Sequence, residues 1–338
     1  MRHKLEQIEN VFIFTTILLI KESWAVGIQR STIRDIIKYR SLYIFIIPAI
    51  VTSLIFYYRP MIGVIMAFQE YTIKLGYFSS PFVRLKYFHE FLSDPEFFNA
   101  LKNTLGINVL MIVFGFPLPI IVALIFNEIN GNIFKRVTQT ITYLPHFISW
   151  VVVGGLIYRI LDTDTGNLNN LLELLGMQRV PFMRKAEYFW AILVATSIWK
   201  ELGWTSIIYL AALASIDPQL YEAASIDGAG RFHKLVNITI PGLMPTISVM
   251  LIFTCGTIFT SQGVVAKGGA SFDAVYNMAN PLVMKTANVL EYYVYTEGIR
   301  WGRLSYAAAI GLAKSLVSFA MVLTANLLNK KIRGYAAF

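Results

Sequence analysis

The sequence predicts an all-α integral membrane protein with six transmembrane helices, and its composition and hydropathy pattern support this class. The 338 residues are 56% hydrophobic and only 14% charged, whereas a soluble domain has roughly 25% charged residues. Six apolar runs approach the length of about 20 helical residues that a bilayer requires. The formal net charge of +9 therefore suits loops that face anionic headgroups, and no nucleic acid partner is expected.

The first 41 residues are polar and basic around one apolar island, Val11 to Ile20. This island is too short to cross a membrane, and no A-x-A cleavage site follows it. We expect an interfacial or packing helix there. Residues 1–41 are thus predicted to form a cytoplasmic or interfacial segment, residues 42–330 one membrane domain, and residues 331–338 a short cytoplasmic tail.

The six predicted spans follow the apolar runs in chain order. Proline residues are expected to kink the second span, and the third span also contains one, Pro145. The predicted spans are Leu42–Tyr58 with an apolar extension to Phe68, Thr104–Phe126, Val137–Leu161, Tyr188–Ala214, Leu243–Thr260 and Leu304–Leu328.

Lysine and arginine are denser in the loops on one side of these spans. The clearest clusters are the N-terminal segment and the C-terminal group Lys330, Lys331 and Arg333. Because cytoplasmic loops carry the excess of positive charge, both termini and the loop between spans four and five are predicted to be cytoplasmic.

That cytoplasmic loop is the longest polar interruption in the second half that also has clear helix punctuation, and it runs from Asp217 to Pro245. Asp217 is expected to cap a short helix, and Gly228 to end it. A second helix is expected over Arg231 to Ile238, stopped by Pro241. Such an element cannot be a span, so we expect it to offer a surface to the cytoplasm.

Signals of catalysis are absent from the sequence. No glycine is followed by lysine, which excludes the phosphate-binding loop G-x-x-x-x-G-K-[ST]. The four histidines lack metal-ligand spacing. We expect no catalytic residue, no metal and no cofactor on this chain, and an intramembrane enzyme is disfavoured.

The cytoplasmic loop resembles the EAA pattern of importer permeases in the ATP-binding cassette superfamily. Glu222-Ala223-Ala224 precede Gly228 by three residues, and nine more residues lead to Ile238, followed closely by Pro241. Ile240 replaces the leucine that is usual before this proline. The resemblance implies a coupling helix that docks on a separate ATPase, with these residues as its contacts: Glu222, Ala223, Ala224, Asp227, Gly228, Ile238 and Pro241.

Three further stretches, at 144–161, 199–230 and 276–283, resemble the LplB-type branch of carbohydrate permeases. The N-terminal 33 residues and the stretch 262–271 look longer than is usual in that branch. The resemblance implies import of oligosaccharides into a bacterial cell, with polysaccharide-derived and uronate-containing fragments as candidates. It also implies four kinds of partner: a second homologous permease, two copies of a cytoplasmic ATPase that binds ATP and Mg, an extracellular solute-binding lipoprotein, and membrane lipid.

Charged residues inside predicted spans are costly in lipid and should face protein or water. Lys200 and Glu201 lie in the fourth span, with Trp204 and Tyr209 nearby as stacking surfaces for a sugar, and Lys314 lies in the sixth. One interpretation is a polar translocation path. The alternative is an internal ion pair that fixes helix packing.

A carrier driven by an ion gradient is the alternative function. Such a carrier does not need a capped, glycine-hinged cytoplasmic element, and it usually has two halves related by sequence or hydropathy. This chain has the cytoplasmic element and no visible internal repeat. The importer permease is therefore the preferred interpretation.

Overall fold

The computed structural model describes residues 38–129, 131–259 and 271–333. Within these ranges the regular structure is helical, apart from one isolated bridge between Gln69 and Phe82. The predicted all-α class is therefore confirmed. Val11–Ile20 and nearly all of the 262–271 stretch lie outside the described residues, as do residues 334–338.

The chain divides into two compact units, residues 1–63 and residues 64–338. In the first unit, α1 (Arg40–Ser53) continues into a π-helical turn at Leu54–Tyr58. Pro48 lies inside α1, and the Thr52 hydroxyl donates to its carbonyl oxygen at 2.7 Å.

The second unit contains the remaining described helices, several of which continue through π-helical or 3-10 turns. These helices are α2 (Gly76–Ser79), α3 (Lys86–Leu92), α4 (Pro95–Leu110), α5 (Pro117–Glu128), α6 (Asn132–Tyr143), α7 (Trp150–Leu161), α8 (Asn167–Leu174), α9 (Ala186–Ala214), α10 (Pro218–Ile226), α11 (Arg231–Lys234), α12 (Ile240–Gly256), α13 (Phe272–Met278), α14 (Met284–Ala287), α15 (Leu290–Tyr295) and α16 (Leu304–Arg333).

Four continuous helices in the described part are long and apolar enough to cross a membrane: Tyr43–Phe68, Pro95–Glu128, Arg231–Gly256 and Leu304–Lys331. A bent pair, Ile133–Phe147 with Trp150–Leu161, raises the number to five if the pair is one span. The predicted membrane character is thus confirmed. The count of six stays a prediction, in which α9, with 29 residues and a length of about 43 Å, is the sixth member.

The third predicted span, Val137–Leu161, is bent sharply instead of forming one straight helix, and its crossing of the membrane stays a prediction. The helical segment that ends at Phe147 and the one that begins at Trp150 meet at 101°. Ser149 has an extended backbone and its hydroxyl accepts from the Val152 amide at 3.4 Å, so it starts the second half as a new helix. The Leu144–Phe147 turn is 3-10, with Pro145 in its first turn.

The prediction that Pro241 stops a helix was wrong. The helix from Arg231 to Gly256 is continuous and contains Pro241. A π-helical turn at Leu235–Thr239 lies directly before the α12 segment, in which Pro241 is near the first position. Proline is tolerated there because the π turn rearranges the backbone hydrogen bonds ahead of it.

The largest apolar core surrounds α9. Phe189, Leu193 and Val194 of α9 pack against Ala274, Val275 and Met278 of α13. Helix α7, which begins after the bend at Phe147–Trp150, also packs on α13. An added Cβ at Gly154 of α7 would lie 2.5 Å from the Asn277 carbonyl oxygen. Helices α7, α9 and α13 therefore form one packed group.

A polar cluster joins the start of α4 to α15 and α16. Tyr293 donates to the Asp94 carboxylate at 2.5 Å and Tyr306 donates at 3.0 Å. Burial by itself raises the pKa of Asp94, but the hydrogen bonds from Tyr293, the Glu96 amide and Tyr306 outweigh it and lower the pKa below its ordinary value. Arg303 extends the cluster through contacts with acidic side chains. This cluster fixes the loops at one end of the helices.

Two adjacent glycines of α7 test this packing. Gly154→Ala should lower the midpoint of thermal denaturation in detergent, because forcing α7 from α13 costs about 1–3 kcal/mol. Gly155→Ala is the matched control: its Cβ meets no atom within 4 Å, and alanine favours the helix by up to about 1 kcal/mol. Equal midpoints for the two variants would contradict the close approach of α7 and α13.

Candidate functional site

The first candidate site is the element over residues 217–241. The Asp217 carboxylate accepts from the Gln219 amide at 2.9 Å, and Pro218 occupies the first turn of α10. This capping agrees with the sequence prediction. No residue of α10 is buried in this chain, so the short helix is available for contact with another protein.

The turn after α10 requires glycine at one position. Gly228 has φ +77°, a left-handed backbone that side chains with a Cβ rarely adopt. The Ala229 amide donates to the Ala224 carbonyl at 2.8 Å, closing the end of the helix. Open space surrounds Gly228. Its requirement is therefore one of backbone conformation and not of packing.

Two side-chain contacts join α10 to the following helix. The hydroxyls of Tyr221 and Thr239 are 3.0 Å apart, and Lys234 Nζ donates to the Ser225 hydroxyl at 2.6 Å. The first contact reaches the π turn that leads into α12. Helix α10 is thus held against the start of a membrane-length helix.

The structure brings together some of the predicted coupling residues. Ala224, Asp227, Gly228 and Ile238 line one cavity of about 460 Å³. Glu222 and Ala223 are exposed elsewhere on α10, and Pro241 is exposed in the next helix. Six of the seven residues therefore fall on two neighbouring surfaces, the exposed side of α10 and the cavity at its end, whereas Pro241 lies apart from both in α12.

The second candidate site lies at the break between α6 and α7. Lys200 Nζ of α9 donates to the His146 carbonyl oxygen at 2.6 Å and lies 3.5 Å from the Pro145 carbonyl oxygen. Its distance to the Glu201 carboxylate is 3.6 Å. Both Lys200 and Glu201 are buried. The predicted ion pair exists, and its lysine is also bonded to the end of the broken helix.

His146 connects this pair to Trp204. Glu201 Oε2 is 2.8 Å from His146 Nδ1. The indole of Trp204 stacks on the face of the His146 imidazole, with a centroid distance of 4.4 Å and an interplanar angle of 3°. His146 is not among the residues predicted from the sequence, where histidine spacing indicated only that a metal site is absent. Its position beside Pro145 in a predicted span was the available signal.

A cavity of about 990 Å³ opens beside the break. Its wall consists of residues 146–151, Lys200 and Glu201, the start of α13, and Glu291. The Glu291 carboxylate forms an ion pair with Lys314 Nζ at 2.5 Å. The charged side chain that Lys314 places in α16 therefore also has a partner. The Asp273 carboxylate of the cavity wall is exposed.

Two of the four predicted path residues line this cavity, namely Lys200 and Glu201. Trp204 is exposed, stacks on His146 and is not among the residues of the cavity wall. Tyr209 is fully buried in an apolar cluster with Ala123, Leu213 and Leu243, and it is not among the residues of the cavity wall. Among the described residues, no group of His, Cys, Asp and Glu side chains could hold a metal ion.

Residues 115–334 match the protein family described as the binding-protein-dependent transport system inner membrane component. The chain is 40% identical over 309 residues to Protein LplB of Bacillus subtilis (strain 168), covering 91% of this chain and 92% of the relative. It is 39% identical over 303 residues to the polygalacturonan/rhamnogalacturonan transport system permease protein YteP of the same organism, covering 90% and 92%.

A solved structure is similar in fold as well as in sequence. It is a chain in the crystal structure of a bacterial ABC transporter involved in the import of the acidic polysaccharide alginate. The TM-score is 0.80 and the identity 37%, with 90% of this chain and 100% of that chain covered. A second structure of an alginate transporter, with an alginate pentasaccharide-bound periplasmic protein, matches with the same TM-score.

Replacement of either glycine after α10 tests the backbone requirement of the turn. Gly228→Ala should strain the left-handed position by about 1–2 kcal/mol and raise amide hydrogen exchange over residues 224–229 by about tenfold. Gly230 has φ −69° and open space around it, so Gly230→Ala is the matched control and should leave exchange unchanged. Similar exchange in both variants would contradict the assigned role of Gly228.

Proposed function

This chain belongs to the family of binding-protein-dependent transport system inner membrane components, and we propose that it conducts oligosaccharides as one permease subunit of an ATP-driven importer. It is a multi-pass membrane protein and a sugar ABC permease by its family and its relatives. Beyond this family membership, we propose a docking surface for an ATPase, a six-span topology, a set of partner proteins and a class of cargo. The alternative, an ion-driven carrier, is not favoured by this family membership.

The observation that carries the proposal is α10, an exposed, capped helix between two long helices. It follows α9 after three residues, and the glycine turn returns the chain to the helix that begins at Arg231. We propose that α10 is the coupling helix and docks on a separate ATPase that binds ATP and Mg. Glu222 suits a basic partner group, and Ala223 permits close approach.

The topology proposed here has six spans, with α9 and the bent pair included. Charged side chains are tolerated in α9 because Lys200 bonds to backbone carbonyls and Glu201 to His146. Six crossings place the N- and C-termini on the same side. The lysine and arginine bias makes that side the cytoplasm, where α10 then also lies. The membrane is that of a bacterial cell.

The partner set follows from the mechanism of a coupled importer. We propose a second homologous permease beside this chain, two copies of the ATPase beneath them, and an extracellular solute-binding lipoprotein that delivers the cargo. This chain performs no catalysis in the proposal. Alternating access requires the spans to rock while the coupling helices follow the ATPase.

The proposed cargo is an oligosaccharide released from a polysaccharide. YteP is named for polygalacturonan and rhamnogalacturonan, and the similar structure for alginate, so uronate-containing fragments are included. We propose that the 990 Å³ cavity is part of the path. Lys200 is a poor receptor for a sugar carboxylate, because its ammonium is already bonded to the His146 carbonyl. Aromatic and hydroxyl groups of the wall suit sugar rings better.

Glu222→Lys tests the docking of α10. In the reconstituted complex, stimulation of ATP hydrolysis by the loaded binding protein should fall at least about tenfold, because reversing a paired charge leaves the partner charge unpaired. Membrane insertion and the amount of folded chain should not change, since Glu222 is exposed. The measurement is ATPase activity in proteoliposomes with and without the loaded binding protein.

Glu96→Lys is the matched control, because it makes the same charge change at an exposed position outside the proposed docking side. It should retain the stimulation. Full stimulation in Glu222→Lys would overturn the docking role of this residue, and equal loss in both variants would attribute the effect to charge alone.

A further inference from the structure

Four residues on one side of α9 contact the turn that ends the first half of the broken helix. Lys200, Glu201, Gly203 and Trp204 lie within about half of the helix circumference, given 3.6 residues per turn. Each of them meets the segment 142–147. We call this set of four residues the clasp.

The clasp supplies what the break needs. A helix that ends inside a membrane leaves carbonyl oxygens without amide partners, and lipid supplies no donor for them. Lys200 donates to the carbonyl of His146 and is close to that of Pro145. Its positive charge also suits the negative end of the helix dipole.

The remaining members hold the turn by its side chains and backbone. Glu201 is bonded to the edge of the His146 ring, while Trp204 covers the ring face. At Gly203 the two backbones are so close that an added Cβ would lie 2.2 Å from the Thr142 carbonyl oxygen. The turn is therefore fixed to α9 by charge, stacking and backbone contact together.

The same helix leads directly to the exposed helix α10. From Lys200 to the end of α9 at Ala214 the helix extends about 21 Å at 1.5 Å per residue. Only three residues then separate α9 from α10. Ile216, one of these three, packs against Gly242 at the start of α12. The end of α9 and helix α10 are therefore linked by a short segment and by contacts with the start of α12, and a displacement of α10 should move the end of α9.

We propose that the clasp transmits movement of α10 to the broken helix, so that the cavity wall at residues 146–151 moves with the coupling helix. This inference rests on the proposed function. It makes Lys200 and Glu201 positioning residues, which line the path and set its wall instead of selecting the cargo. Gly203 and Trp204 serve the same role without lining the cavity.

Electron–electron distance measurements test this link without requiring the cargo. Spin labels are placed at Leu144 in the clasped turn and at Ile226 at the end of α10, both of which are exposed, in a Cys255→Ser background. The assembled transporter is compared without nucleotide and after trapping with ADP and vanadate. The Leu144–Ile226 distance should stay the same, while a second pair, Ile226 with Phe319 on α16, should change.

Gly203→Ala should make the movement of Leu144 independent of that of Ile226, because the added Cβ separates α9 from Thr142. The Leu144–Ile226 distance should then shift or broaden on trapping, whereas the Ile226–Phe319 change remains. Lys200→Met should act in the same direction, and Glu201→Gln, which keeps a hydrogen-bonding group near His146, should preserve more of the wild-type behaviour. Gly155→Ala, a glycine with open space around it, is the matched control.

Sugar uptake per ATP hydrolysed gives an independent measure, with oligogalacturonides and galacto-oligosaccharides tested in parallel as probes. Gly203→Ala should lower this ratio roughly two- to thirtyfold, the range found for residues along coupling networks. A purely structural role would lower the denaturation midpoint without changing the ratio or the label distances.

A wild-type Leu144–Ile226 distance that changes as much as Ile226–Phe319 would overturn the clasp. So would an unchanged distance in both Gly203→Ala and Lys200→Met. Failure of the proposed function gives a different result: vanadate would then trap no nucleotide in the wild-type complex, and neither pair would respond.

Discussion

The break in the third apolar segment is the constraint on which the arrangement depends. Lipid offers no hydrogen-bond donor to backbone groups, so a carbonyl freed by a bend within a membrane must be satisfied by the protein or by a polar cavity. Here the 101° bend between Phe147 and Trp150 finds its donor in Lys200. Burial of the lysine is offset by its hydrogen bond to the His146 carbonyl and by its ion pair with the Glu201 carboxylate.

This constraint relates the two candidate sites. Helix α9 carries the lysine near its middle and ends three residues before α10. One 29-residue helix thus contributes to the cavity wall and leads to the exposed helix that is the proposed docking surface. The proposed mechanism requires that an event on one side of the membrane changes the path. A stiff helix fixed at both ends is a physical means of doing so.

Features that depend on neighbours in the chain could be predicted from the sequence. The Asp217 cap and the glycine requirement at Gly228 arise within a few residues and are found in the structure. The bend could not be predicted, since Pro145 indicates a weak point but the stabilising donor comes from 54 residues further along. The prediction that Pro241 ends a helix was wrong because a local feature was overlooked: the π turn before this proline lets the helix continue. Burial of Tyr209 likewise depends on helices that are distant in sequence.

The central claim is that α10 of this chain docks on a separate ATPase. The most direct measurement is co-purification of a soluble ATPase with the detergent-solubilised chain, before and after residues 221–241 are altered. The account predicts that an ATPase remains bound to the wild-type chain and is lost from the altered chain, while the second permease stays associated. Retention of the ATPase by the altered chain would contradict it.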